Sequence, residues 1–194
     1  AIIAEAGGGI WIGTEGDGVY RLKNGTLARL NTGNGLLSDL SRALYVDKQG
    51  VLWIGTAGGG LSRYANGRVV SFTTREGLPD NTISQILEDD SGRLWLGSNR
   101  GIASVSKRDL EALAARKISE IYPRTYGRAE GMLSEECTGG FCPAGLKTAS
   151  GLLWFSTLKG AVVVNPRQPP AEFSAPKVLL EEVWVDGVLD SEFQ

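Results

Sequence analysis

Histidine is absent from the 194 residues. Without it the commonest general base, the serine–histidine pairing and the usual zinc ligand sets are all missing. Acid–base work would fall to Asp, Glu, Tyr or Lys, and no motif in the chain arranges them for it. Cysteine is scarce, with only Cys137 and Cys142. Their spacing allows either a small loop disulfide or two separate thiols, and two cysteines without histidine make no usual metal site. No metal or other cofactor is therefore expected. An excess of one charge is lacking too: 20 Lys and Arg stand against 22 Asp and Glu, a net charge of −2. That leaves no basic field to recruit nucleic acid or an anionic membrane. No apolar run approaches the ~20 residues of a membrane span, so direct membrane contact is not expected of this stretch. No signal peptide is legible, and the chain opens within a strand pattern, as expected of a piece cut from a longer protein.

What the chain has in plenty is glycine, 27 residues, recurring at fixed offsets. The offsets follow a repeat. Ile10-Trp11-Ile12-Gly13-Thr14, Leu52-Trp53-Ile54-Gly55-Thr56 and Leu94-Trp95-Leu96-Gly97-Ser98 are spaced 42 residues apart, and Leu153-Trp154-Phe155-Ser156-Thr157 follows 59 residues after the third. A period near 42 with one aromatic-centred strand per unit is the signature of a β-propeller blade. Each unit reads as a four-stranded antiparallel meander. In the second, an alternating strand around Ala43–Asp47 leads through a turn to the Trp strand. A third strand at Leu61–Tyr64, an Asn66-Gly67 hairpin turn and a strand from Arg68 to Thr73 complete it. Such a meander cannot bury both faces alone and must stack on its own kind. The indole is suited to the blade-to-blade interface, and the glycine two residues after it leaves room for the next sheet.

The expected architecture is all-β: about four propeller blades at 1–32, 41–74, 83–126 and 137–166, a partial propeller. A short helix over 106–117 interrupts the third unit, with Ser106 as N-cap and Asp109 at N3. It is expected to be a cap on the blade's outer edge, with the fourth strand resuming at Ile118–Tyr122. The first strand of unit four is expected near Cys142 to Thr148. That unit is expected to lack a fourth strand, because after Pro166 comes a proline-rich linker over 167–176. A non-repeat strand and turn follow in 177–194. The fragment is expected to form an incomplete arc, to close as a strained four-bladed ring, or to pair with a second copy into eight blades, and the exposed edges favour the last, a homodimer.

Three stretches carry a resemblance. Gly-x-Leu-Trp-Ile-Gly-Thr, then Gly-Gly-Gly-Leu-x-Arg-Tyr-x-Asn-Gly, then Gly-Leu-Pro-Asp-Asn-x-Ile, all around Val51–Ile83, resemble the two-component regulator propeller repeat. Residues Gly131 to Asn165 are similar to that family's closing blade, although Cys142 stands where a polar residue such as Gln is expected. The stretch from Pro176 to Gly187 resembles the start of the immunoglobulin-like sandwich that follows the propeller in these proteins. The resemblance implies a periplasmic sensor region of a bacterial transmembrane signalling protein, whose relatives continue into a membrane helix and a histidine kinase or diguanylate cyclase.

A site is expected on the face where the inter-blade loops and the second-to-third strand turns converge. Glu15, Asp17, Asn99, Arg100, Glu135 and Lys159 are the candidate ligand-binding residues there, since all but Asn99 are little demanded by turn chemistry. Three functions are in view: a sensory module binding a small molecule, carbohydrate among the classes considered; a non-catalytic scaffold for dimerisation or protein contact; and a propeller lyase or hydrolase. The missing histidine weighs against the last, so no enzyme activity is expected.

Overall fold

The computed structural model describes residues 1–139, 141, 143–168, 184–185 and 188–189. Three four-stranded antiparallel meanders come first. Blade one is β1 (Ile2–Glu5), β2 (Gly9–Gly13), β3 (Val19–Lys23) and β4 (Thr26–Leu30). Blade two is β5 (Ser41–Val46), β6 (Leu52–Thr56), β7 (Leu61–Ala65) and β8 (Arg68–Phe72). Blade three is β9 (Ile83–Glu88), β10 (Arg93–Ser98), β11 (Gly101–Ser106) and, after the helix α1 (Lys107–Ala114), β12 (Arg124–Tyr126). A fourth sheet has three strands, β13 (Gly145–Lys147), β14 (Leu153–Thr157) and β15 (Gly160–Val164). The all-β propeller architecture and the helix inserted in the third unit thus stand as expected, and blade four has three strands among the described residues. Both Asn-Gly turns adopt the left-handed pair of a type I′ hairpin, with φ of 51° and 76° at Asn24-Gly25 and 52° and 76° at Asn66-Gly67.

The blades stack face to face. At each junction the Trp row of one blade meets the two apolar residues that flank Trp in the next. Trp11 packs with Leu52 and Ile54, Trp53 with Leu94 and Leu96, and Trp95 with Leu153 and Phe155. The glycine of each motif makes this approach possible. A Cβ at Gly55 would lie 2.5 Å from the Ile83 carbonyl oxygen, a sheet-to-sheet contact that no side chain could enter without moving backbone. One at Gly97 would lie 2.5 Å from Gln85 Oε1 and 3.1 Å from Cβ of Cys137, side chains packed over that glycine. Asp39, Asn81 and Glu135 in successive inter-blade loops accept the N–H of Gly18, Gly60 and Gly101 through their carbonyls, at 2.7–2.9 Å. This latch fixes each loop to the second-to-third strand turn of the blade before it.

Three expectations need correction. The fourth strand of blade three is Arg124–Tyr126, not 118–122. Pro123 supplies no N–H to a ladder, and Ile121 donates its own N–H to Glu76 at 2.9 Å while its side chain fills the core between blades two and three. The helix ends at Ala114 instead of 117. Arg116 takes a left-handed φ of 56°, and Arg116 and Lys117 donate back to Leu113 and Ala112 at 2.9 Å, a Schellman closure. Ser106 holds the extended N-cap backbone, but its hydroxyl makes no capping bond. The first strand of blade four is only Gly145–Lys147, because Cys137 and Thr138 pair with Thr157 and Ser156 ahead of it.

Helix α1 is more than an edge decoration. Leu110 is fully buried in the core between blades two and three. Lys107 reaches Asp47, Glu88 and Gln49, each at 3.0 Å, and Glu111 pairs with Arg63 of blade two at 2.6 Å. The helix leaves blade three and clasps blade two. Cys142, most of the linker over 167–176 and most of the stretch 177–194 lie outside the described residues. Within the last, Trp184–Val185 pairs antiparallel with Val188–Leu189, β16 and β17.

Candidate functional site

The inner strands β1, β5, β9 and β13 follow one another around a central channel. A cavity of about 190 Å³ in it is bounded by Ala1, by Arg42 to Tyr45, by Ser84 to Leu87, and by Phe141 and Pro143 to Gly145. All four blades contribute. At the loop face lies a more polar cavity of about 300 Å³, the mouth, which shares Arg42 and Ser84 with the first and is lined among others by Thr82, Asn99, Glu136 and Thr138.

Local chemistry sets the rim. Asp80 accepts the Thr82 N–H with one carboxylate oxygen (3.0 Å) and the Asn99 N–H with the other (3.1 Å), so the loop between blades two and three holds the Asn99 turn over the opening. Arg42 stands at the start of β5 and pairs with Glu15 of blade one at 3.2 Å. On the far wall Gln85, buried, directs its amide nitrogen at Thr138 O (2.6 Å), Ala144 O (2.8 Å) and Ser156 Oγ (2.8 Å), stapling blade three to blade four. Its Oε1 is buried without a partner. Cys137 is a free thiol sealed beneath the rim, and burial pushes it up to about 11, so it stays protonated at neutral pH. Among the described residues no three His, Cys, Asp or Glu side chains gather as a metal would need.

Of the sequence candidates, Asn99 lines the mouth, and Glu15 reaches it through Arg42. Arg100 is exposed in the same turn as Asn99, its N–H held by the Ser98 hydroxyl at 3.1 Å. Asp17 is engaged away from the mouth, by the Tyr20 hydroxyl and the Arg29 guanidinium of blade one's outer strands. Glu135 accepts the Arg128 N–H at 3.0 Å, just as Asp39 and Asn81 accept those of Thr32 (2.7 Å) and Thr74 (2.8 Å), so its carboxylate serves the loop latch. Lys159 is exposed in the β14–β15 turn. Arg42, Thr82, Ser84 and Thr138 escaped the sequence reading, and Glu136, at the end of a connection expected on this face, was not singled out within it. Arg42 had a signal of its own: it is a long cation at the start of an inner strand, where a channel wall begins.

The two component regulator propeller family matches residues 35–58 and 77–100, each an inter-blade loop, an inner strand and a Trp strand. No curated protein matches the chain. Among solved structures, the extracellular domain of BT3049 from B. thetaiotaomicron, described as a hybrid two component system, is 23% identical with a TM-score of 0.56. The match covers 86% of this chain and 27% of that one. The extracellular domain of BT4673 from the same organism, described as a one component system, is 20% identical with a TM-score of 0.62, over 86% and 22%. Virginiamycin B lyase from Staphylococcus aureus is 14% identical with a TM-score of 0.58, over 87% and 55%. The chain spans about a quarter of the length of the first two. These likenesses show the propeller fold, and the repeat match is confined to residues 35–58 and 77–100. No helix among the described residues is long and apolar enough to cross a membrane.

Proposed function

We propose that these two-component regulator propeller repeats form part of a periplasmic sensory region of a bacterial signalling protein, and that a small polar ligand binds at the channel mouth. The observation that carries the reading is where the matched repeats put their side chains. Arg42, Ala57, Thr82, Ser84 and Asn99, five residues lining the mouth, fall within 35–58 and 77–100. The same sequence that makes a blade of this kind therefore builds the cavity. Its chemistry is mixed: Arg42 and Asn99 donate, Glu136 and Asn99 accept, and hydroxyls of Thr82, Ser84 and Thr138 do both. That suits a neutral or zwitterionic polar molecule, carbohydrates included, with Phe141 exposed in the channel below as an apolar face for a sugar ring. Cys137 is buried and protonated and histidine is absent from the sequence, so the two commonest parts of a nucleophile–base pair are not offered at this mouth, which favours binding over turnover.

The test is thermal-shift screening against sugars and small metabolites. A ligand present at 100 times its Kd stabilises by about 2.7 kcal/mol and raises Tm by a few degrees. Arg42→Ala should abolish the shift, and Arg100→Ala, one residue past the lining, should retain most of it. Silence across a broad panel would turn the reading to a scaffold role.

A further inference from the structure

Arg21 and Arg63 stand at the same place in successive blades, 42 residues apart, and hold their guanidinium groups differently. Arg21 grips Glu5 along one edge, Nε to Oε2 at 2.8 Å and Nη2 to Oε1 at 2.6 Å. In blade two Asp47 takes the place of Glu5, and its carboxylate is occupied by Trp53, Lys107 and the N–H groups of Gln49 and Val51. Arg63 turns instead to Glu111 of α1, through Nε alone at 2.6 Å. Its side chain is only 17% exposed, yet its Nη groups have no partner among the described residues. The chain thus holds one arginine with its carboxylate in place and a second with half of that contact unmade.

Arg63 lines a groove of about 300 Å³, open to solvent, between the β7–β8 hairpin and α1. Arg63 faces Val70 across the hairpin and Ala65 faces Arg68, so all four lie on one side of the sheet. Arg63 and Arg68 are diagonal neighbours there, about 7–8 Å apart, near enough for both guanidinium groups to reach one anion. Small apolar side chains make most of the remaining lining: Ala65, Val70, and Ala114 and Ala115 of the helix. Arg108, one turn before Glu111, and Arg116 and Lys117, just past Ala115, add exposed cations on the helix side. Both walls of the groove are built within residues 63–115.

We propose that this groove binds an acidic peptide segment, one of whose Glu or Asp side chains lies between Arg63 and Arg68. The Nη groups of Arg63 and the guanidinium of Arg68 take its carboxylate, and its methylene groups rest on the alanines and Val70. Neighbouring acids of the segment meet Arg108, Arg116 and Lys117. Glu5 on Arg21 is the same contact, made inside blade one. Glu111 holds the Nε of Arg63 and so competes with the incoming carboxylate for that guanidinium. A small molecule is usually enclosed by its pocket, whereas an open groove suits one side chain of a segment laid across it. The proposal is independent of the ligand reading at the channel mouth.

Fluorescence anisotropy of a labelled hexaglutamate peptide, titrated with the 194-residue chain at low salt, tests it. Binding is expected, and it should weaken as salt is added. Arg63→Gln and Arg68→Gln should each weaken it about tenfold, the loss of one charge-assisted contact. Arg75→Gln, which removes the same charge from an exposed position on the loop face, should leave it unchanged. Glu111→Gln should tighten it several-fold, because Arg63 regains its Nε. Cooperative urea unfolding checks that each variant is folded. Arg68→Gln and Glu111→Gln, both at exposed positions, carry the test if Arg63→Gln is not. No binding up to the millimolar range overturns the proposal, as does equal weakening by Arg75→Gln or an affinity untouched by Glu111→Gln. Glutarate that displaces the peptide as well as unlabelled hexaglutamate does, at equal carboxylate concentration, overturns the peptide as occupant.

Discussion

The indole nitrogen of Trp53 donates to Oδ2 of Asp47 at 3.1 Å, while Oδ1 of the same carboxylate accepts the N–H groups of Gln49 and Val51 at 3.0 Å. One unit on, Trp95 and Asp89 repeat the bond at 2.8 Å, with Ser91 and Arg93 on the other oxygen. Each of these ladder indoles is therefore tied to the turn preceding its own strand before it meets the next blade. Blade four puts Thr148 at that place, whose hydroxyl takes the Leu152 N–H at 3.0 Å. Trp154 has no carboxylate six residues before it, and it is the ladder Trp left exposed. Blade one has Glu5, held by Arg21 and Lys23 instead.

Replacing Asp89 by Ala should therefore cost more than the loss of a surface turn. It strands the Trp95 indole N–H and two turn N–H groups at a site with little water. A buried donor left unpaired costs about 1–3 kcal/mol, and some of the turn groups recover water, so a loss of about 3 kcal/mol is expected. Urea unfolding at neutral pH measures it. A change below about 1 kcal/mol would mean the bond only decorates an indole already fixed by packing.

Gln85→Leu separates the staple from the packing around it. Leucine roughly fills the volume, but the carbonyls of Thr138, Ala144 and Ser156 lose the amide that gathers them. A loss of about 2 kcal/mol is expected, and it should be local. Hydrogen exchange should quicken in β13 and β14 while the N–H groups of β6 and β7 keep their protection. Equal acceleration in all four blades would show that the array unfolds only as a unit.

The ladder and the hairpin turns were legible because each follows from local rules: an aromatic every 42 residues, Asn-Gly between short strands. The fourth strand of blade three was misplaced because Ile118–Tyr122 looks like a strand by composition. Its backbone and side chain are instead claimed by blade two, a tertiary contact the local pattern does not carry. The site was less legible still. Glu135 looked free by composition, yet it is the third member of a loop latch whose other members are Asp39 and Asn81. That series shows only when the loops are aligned by blade. Asn99 was found by its loop position. Arg42 was missed because its role depends on how inner strands converge, which no single unit specifies.

Glu5 makes the stability of blade one depend on acid. Hydrogen bonding from Arg21, first of all, holds its carboxyl at about 2 against an ordinary 4.5, with burial opposing and Lys23 assisting. Because the folded value is the lower one, this stabilisation is complete above about pH 4.5 and is lost as pH falls towards 2. It is on the order of 2–3 kcal/mol. Urea midpoints measured from pH 6 down to 2.5 should fall across that window, and Glu5→Gln should flatten the part of the slope that belongs to this group. An unchanged slope would mean Arg21 and Lys23 hold Glu5 equally in the unfolded chain.

Helix α1 offers a way to tell a clasp from an ornament. Leu110→Ala leaves a cavity in the core shared by blades two and three, for which about 2–5 kcal/mol is the usual cost. Lys107→Met leaves the carboxylates of Asp47 and Glu88 facing each other without their cation, and a further loss of about 2 kcal/mol is expected. The exposed Arg63–Glu111 pair is worth little, so Glu111→Ala should change stability by about 0.5 kcal/mol or less. The ranking is the test, read from urea midpoints of the three variants. If the helix clasps the two blades, Leu110→Ala and Lys107→Met shift the main unfolding transition and accelerate exchange in β6 and β10 together. If it only rests on the edge, both variants fray the helix and leave that transition where it was.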